Sequence, residues 1–354
     1  MADSMTPPRK TVLVTGANGY IGFAVCRAFN RAGWRTFGLV RRVEAASALI
    51  AEEITPIIGS ISKDATWLED LHRHTKTIDV VVSCTEQFPF GVHFEAVTFL
   101  LRKLAETSNN YGVRPLVLAS SGCKDYGITG LHGSAGLAPH TENSPLRPMD
   151  LLSERCFNSL RIFEHTDLFD AAVIRPTPVF GYDSSYYGMT FELAAAAAKT
   201  EERRFKLAMD FNTIIHGCHI DDCGEAYLAL AEHADRSAIA GECFNISATR
   251  YDTLGAVAKA MEIEYGLTGG VVQGSAEDSA VPFLDMVLGY SQWVDSTKIR
   301  KLTGWTDKRM LLSENLHVYR MAYEEAAKRG HEGVLKVKER IAEIGTAAKM
   351  PQAS

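Results

Sequence analysis

Three glycines near the N-terminus carry the strongest chemical signal in this chain. Thr15-Gly16-Ala17-Asn18-Gly19-Tyr20-Ile21-Gly22 follows a strand-like run, Thr11–Thr15, and opens a helix-like one. Glycine at 16 permits a tight turn, and at 19 it lets backbone approach a pyrophosphate. At 22 it allows close helix–sheet packing. A helix N-terminus presents N–H groups and the positive end of its dipole to phosphate. The arrangement is that of a dinucleotide site lined by Gly16, Asn18, Gly19, Tyr20, Ile21 and Gly22. The next strand-like run ends Gly38-Leu-Val-Arg41-Arg42. A carboxylate there would accept from the ribose 2′-hydroxyl and repel a 2′-phosphate, whereas two guanidiniums offer bidentate donors to phosphate. NADP(H) is therefore expected ahead of NAD(H); the other reading of Arg41-Arg42 is a solvated basic strand end. Ser60 stands where an acidic side chain would reach the adenine, which predicts a weaker contact.

Two further groupings were weighed for chemistry. His216-Gly-Cys218-His219-Ile-Asp221-Asp222 collects metal-ligand residue types, but zinc spacing would need a second ligand pair, and none appears in the sequence. An Asp capping the next helix explains the segment better. A Gly-x-Ser-x-Gly nucleophile elbow does not occur, so hydrolase chemistry has no support.

The elements that must position these residues alternate. Strand-like runs fall at 35–40, 54–58, 79–84, 115–120, 171–175 and 243–247, with helix-like stretches near 20–32, 65–73, 92–111 and 150–165. This alternation predicts βαβ units and a doubly wound parallel sheet, the Rossmann α/β class. Beyond residue 180 the pattern changes: a Tyr/Gly/Ser-rich loop over 181–188, an alanine helix, mixed segments at 216–233 and 252–266, and a charged helical tail over 310–345. The expected layout is a disordered tail over 1–9, a dinucleotide domain over 10–180, and a cap over 181–345 interleaved with returning sheet elements. A second tail follows over 346–354. The polar aromatic loop Tyr182–Tyr187 is a candidate pocket lining, and 131–140 reads as a flexible lid or a plain loop.

Composition fits this class. The 354 residues are 46% hydrophobic and 23% charged, with net charge −6. That balance leaves no basic footprint for nucleic acid or an anionic membrane. No run approaches the ~20 apolar residues of a membrane span, and the N-terminus lacks the apolar stretch of a signal peptide. Seven scattered cysteines, an odd number, read as reduced thiols. A cytoplasmic protein acting on a small molecule is expected.

Several landmarks carry a resemblance: the glycine loop, Arg175-Pro176-Thr-Pro-Val179-Phe180-Gly181, His219-Ile-Asp221-Asp222, Cys243-Phe-Asn245-Ile-Ser and Leu302-Thr-Gly-Trp305. Together they resemble the extended short-chain dehydrogenase/reductase superfamily, of the NAD-dependent epimerase/dehydratase type. That resemblance implies a Tyr-x-x-x-Lys pair after the fifth strand and a Ser or Thr at that strand's end. Here the tyrosine position falls on Leu151 or Leu152, the lysine position on Arg155 or Cys156, and the hydroxyl position on Gly122. Neither leucine nor glycine can donate a proton to a developing alkoxide.

Ser120-Ser-Gly122-Cys-Lys124-Asp-Tyr126 instead resembles the Thr-Gly-x-Lys-His-Tyr motif of the progesterone 5β-reductase/iridoid synthase-like branch, with Lys124 matching its lysine and Asp125 standing at its histidine. The resemblance places Lys124 beside the nicotinamide as oxyanion stabiliser or proton donor, with Ser121, Cys123 and Tyr126 as further catalytic candidates. It gives Pro176 and Val179 as nicotinamide walls and Arg155 as a cofactor contact. It also implies a homodimer through the helices near 92–111 and 150–165. The leading expectation is an NADPH-dependent reductase of an activated or α,β-unsaturated carbonyl. The alternatives are a non-redox isomerase, cyclase or lyase with structural NADP(H), and an NADP(H)-binding redox sensor.

Overall fold

The computed structural model describes residues 9–183, 186–275 and 287–347. Of the expected terminal tails over 1–9 and 346–354, residues 1–8 and 348–354 lie outside the described residues, as does Ser184-Ser185 of the aromatic loop, whereas 346–347 end a helix rather than begin a tail.

Six strands and five helices alternate, all but α2 as the apolar runs predict: β1 Thr11–Thr15, α1 Tyr20–Arg31, β2 Arg35–Val40, α2 Ala46–Ala51, β3 Thr55–Ile58, α3 Leu68–His74, β4 Val80–Ser83, α4 Phe90–Asn110, β5 Leu116–Ser120, α5 Asp150–Leu160 and β6 Asp170–Pro176. With the later strand Cys243–Ile246 at its edge, they form a parallel seven-stranded sheet ordered (243–246)-β6-β5-β4-β1-β2-β3. Alternation within strands decides the layering. Val12, Val14, Val80, Val82 and Leu118 pack on one face against α1 and the Ile220–Glu232 helix. Leu13, Val81 and Val117 pack on the other against Leu100, Leu101 and Leu104 of α4. Burial on both faces is what makes the central strands continuously apolar. Strand order reverses between β1 and β4, so a crevice opens beyond their C-terminal ends.

The segments expected to form the cap share a second core, with Phe180, Tyr187, Phe191, Leu254, Leu316 and Tyr323 among its buried side chains. Small paired strands (Phe205–Leu207 with Val271–Gln273, Ile214–Ile215 with Asp252–Thr253) support its helices. The charged tail is two helices, Leu316–Lys328 and Glu332–Ala347, parted at Gly330, which turns with φ +65°. Neither is solvated all round: Tyr319, Tyr323, Val334 and Val337 are buried in the cap core. Among the described residues, no helix is long and apolar enough to cross a membrane.

The capping expectation at 221–222 needs correction. The imidazole of His219 caps the Ile220–Glu232 helix, its Nδ1 accepting from the Asp221 amide at 3.2 Å. The two aspartates lie in the first turn, where they pair with Arg27 and Arg309 and complement the positive dipole end. His216 uses both ring nitrogens, donating from Nε2 to the Ala248 carbonyl at 2.9 Å and accepting at Nδ1 from the Val294 amide at 3.1 Å. The 131–140 segment is tied down, with His132 N–H bonded to Asn212 and His140 N–H to Trp293.

Candidate functional site

The glycine loop closes on itself at the end of β1. Gly16 has φ +66°, and a Cβ there would meet the Cys84 carbonyl oxygen at 2.8 Å. A Cβ on Gly22 would sit 2.2 Å from the Gly16 carbonyl oxygen, so α1 rests directly on the turn. Gly19 precedes α1 without any side-chain cap, which leaves the first helical amides for another acceptor. The cradle thus fits a pyrophosphate. Gly22→Ala is expected to destabilise the fold by about 1–3 kcal/mol, because backbone rather than a side chain must yield; a denaturant midpoint measures it. Tyr20 donates from its hydroxyl to the Gly181 carbonyl, tying the loop to the start of the cap. Burial, with Asp183 and Asp221 nearby, keeps that phenol protonated.

At the end of β2, Arg41 and Arg42 are both exposed, and Arg42 donates to Glu332 at 2.8 Å. Ser60 is exposed, and its carbonyl accepts from the Trp67 indole at 2.9 Å.

Beyond β4, β5 and β6 lies a cleft of about 600 Å³, walled by Ile21, Lys124, Leu152, Arg155, Pro176 and Val179 among others. The sequence-predicted residues from the loop, β5, α5 and β6 therefore converge on one space. Lys124 stands on the short turn Cys123–Tyr126. Its Nζ lies 4.5 Å from the centroid of the Tyr290 ring, whose hydroxyl donates back to the Lys124 carbonyl at 3.2 Å. Among the described residues no carboxylate pairs with it. Burial, reinforced by the Arg155 cation, pulls the amine down to about 8.

Beneath this floor runs a buried polar network. Asp125 is fully buried; it accepts from Arg155 at 2.6 Å, from Arg175 Nε at 3.2 Å and from the Ser121 hydroxyl at 2.6 Å. Arg175 also donates to the Tyr126 hydroxyl at 3.0 Å, and Tyr126 donates to Asn245 at 2.8 Å. Tyr126 is 1% exposed and stacked on His140, so its phenol is committed within the network. Cys123, equally buried, donates its thiol to the Arg175 carbonyl at 2.9 Å, and burial pushes its pKa well up. Ser121 borders the cleft, with its hydroxyl turned to Asp125. Of the four catalytic candidates, Lys124 alone offers an unpaired polar head toward the cleft among the described residues.

The faces of α5 separate Arg155 from Cys156. Arg155 reaches the cleft, whereas Cys156 is wholly buried in the fold. Leu151, four residues before Arg155, thus shares its helix face, and Leu151 and Leu152 both line the cleft. Gly122 is extended, with φ −171°, so its backbone does not require glycine. Its role is spatial: a Cβ would come within 3.3 Å of the Arg155 guanidinium. Glu86, Tyr290 and Glu332 belong to the neighbourhood too and carry no sequence signal, since each lies in an unremarkable polar stretch.

A family model described as NAD dependent epimerase/dehydratase family matches residues 12–247. No curated protein matches the sequence at a significant level. Solved structures similar in fold include UDP-glucose 4-epimerase from Thermotoga maritima with UDP-glucose, 19% identical over 90% of this chain and 99% of that one, TM-score 0.66. dTDP-glucose 4,6-dehydratase from Bacillus anthracis with NAD is 15% identical over 90% and 98%, TM-score 0.67. An epimerase-like protein from Burkholderia cenocepacia is 20% identical over 90% and 99%, TM-score 0.63.

Proposed function

Because this chain belongs to the NAD-dependent epimerase/dehydratase family, we propose that it is an NADPH-dependent reductase of a small activated or α,β-unsaturated carbonyl compound. One observation carries the reading: a lysine amine without a carboxylate partner among the described residues, held in an apolar cleft that α5 lines with leucines instead of a phenol. When bound, NADPH supplies hydride to the electrophilic carbon and leaves as NADP+. Lys124 holds the negative charge that then develops on the substrate oxygen. In conjugate reduction the resulting enolate takes its proton at carbon from solvent, so no side-chain acid is needed at the oxygen. Reduction of an isolated ketone would need one, and Leu151 cannot serve. Leu152, Pro176 and Val179 exclude water and strengthen the interaction with Lys124. The resemblance of Ser120–Tyr126 to the 5β-reductase-like motif supports the same assignment for Lys124.

The test is turnover of simple enones by the purified chain with 4-deuterated NADPH. Deuterium at the β-carbon, with NADPH consumed in step, is the expected result. Product formed without NADPH oxidation would move the protein into the isomerase or lyase class, and tight NADPH binding without any turnover would favour a sensor. The preference for the 2′-phosphate rests on Arg41 and Arg42. Replacing both with alanine is expected to weaken NADPH binding about 10- to 100-fold, as two charge-assisted contacts are lost, with NADH changed far less. Calorimetric titration of both nucleotides checks it.

A further inference from the structure

β2 ends at Val40, and Arg41-Arg42, which follow it, supply no carboxylate for a ribose hydroxyl, yet the fold brings one from elsewhere. Glu332 opens the Glu332–Ala347 helix, and its Oε1 accepts from the Arg42 guanidinium at 2.8 Å. Lys336, 2.9 Å away, with Arg42 and the Asn18 amide of the glycine loop, holds this carboxyl below the usual range, so it stays ionised. Three contacts fix the start of the helix. His331 Nδ1 lies 3.0 Å from Asp183. Val334 and Val337 are buried in the cap core. Gly333 makes room for Asp183, since a Cβ there would fall 2.0 Å from its Oδ2.

We infer that Glu332 is a specificity-determining residue for the dinucleotide, supplying from the C-terminal helix the carboxylate that β2 lacks and opposing the 2′-phosphate that Arg41 and Arg42 attract. This rests on the dinucleotide reading given above. The end of β2 is where such sites meet the adenosine ribose. A free 2′-hydroxyl can donate to Glu332 while Arg42 stays paired. A 2′-phosphate, near −2 in charge, must take the Arg42 guanidinium from Glu332 and then lie beside the displaced carboxylate. Both side chains are partly exposed, at 65% for Arg42 and 40% for Glu332, so solvent screens the repulsion. The effect is therefore about tenfold, not thousands.

The test is titration of the full-length chain and Glu332→Gln with NADPH, NADH, 2′,5′-ADP and ADP at low and high salt. The variant is expected to bind NADPH and 2′,5′-ADP about tenfold more tightly while NADH and ADP are unchanged or weaker, with the difference shrinking at high salt. Glu332→Ala, a second substitution at the same exposed helix start, should shift the NADPH:NADH ratio the same way. A ratio that stays within about twofold of wild type in both variants overturns the inference and leaves dinucleotide binding intact. Failure of the wild type to bind any of the four nucleotides overturns the dinucleotide reading itself.

Discussion

Lys124→Met is expected to remove most turnover while making the protein more stable. The two effects share a cause. Holding a cation at the place where oxyanion charge develops contributes roughly 10²- to 10³-fold to a rate, so kcat should fall by about that factor. Nucleotide affinity should hold, since the phosphate cradle at Gly16–Gly22 and the Arg41-Arg42 pair make no contact that depends on the amine. The same charge is costly to the resting fold. Burial first, then the Arg155 cation, pull the amine from the ordinary 10.5 down to about 8. Between those values the folded chain binds fewer protons than the unfolded one, so stability rises with pH there. The destabilisation is full below pH 8 and fades toward 10.5. Methionine, similar in length and uncharged, should relieve about 1–3 kcal/mol at pH 7 after allowance for the amine's residual exposure. Wild-type kcat/KM should also fall as pH rises through about 8, when the free enzyme loses the cation. Paired urea melts and turnover assays at pH 7 and 10 decide it: unchanged kcat, or a variant less stable than wild type at pH 7, would refute the role.

The residues around Lys124 act on its amine together. With leucine at 151 and 152, α5 presents an apolar wall where a phenol would hydrogen-bond, and such a wall deepens the desolvation felt by Lys124. With glycine at 122, the Arg155 guanidinium comes over the end of β5 and adds the second, electrostatic push on the same amine.

The parts legible in the sequence are those whose cause is local. The turn at Gly16, the close approach at Gly22 and the strand alternation follow from backbone sterics and burial within a few residues. Lys124, Arg155, Pro176 and Val179 are grouped in the sequence only through the family resemblance; in the fold they line one cleft beyond the ends of β5 and β6. What escaped is long-range. Arg175 looks like part of a Pro-Val-Phe-Gly wall, yet its side chain points inward to Asp125 and Tyr126. Tyr126 reads as a proton donor until His140 and Asn245 are seen enclosing it. Arg42 and Glu332 are 290 positions apart, and no periodicity links them. The split at Gly330 was hidden because helix-forming residues flank it on both sides.

Asp125→Asn should be the most destabilising conservative change near the site, by about 3–5 kcal/mol. The carboxylate is fully buried and accepts from two guanidiniums and a hydroxyl. Asparagine keeps the volume but offers one oxygen, and its NH2 must face an arginine donor. Arg175, 1% exposed, would then be a buried cation without its counter-charge, and its Nη2 already lacks a hydrogen-bond partner. Removing one member of such a pair is far worse than never having built it, because the remaining charge has no water to return to. Arg155 differs, since it borders the cleft and can turn to solvent. Arg155→Met in the Asp125→Asn background should therefore restore little, whereas Arg175→Met should restore a larger share of the loss. Urea denaturation of the single and double variants measures both terms. A loss below about 1 kcal/mol for Asp125→Asn, or equal rescue by the two arginine substitutions, would mean that the network does not hold β5 to β6 by charge.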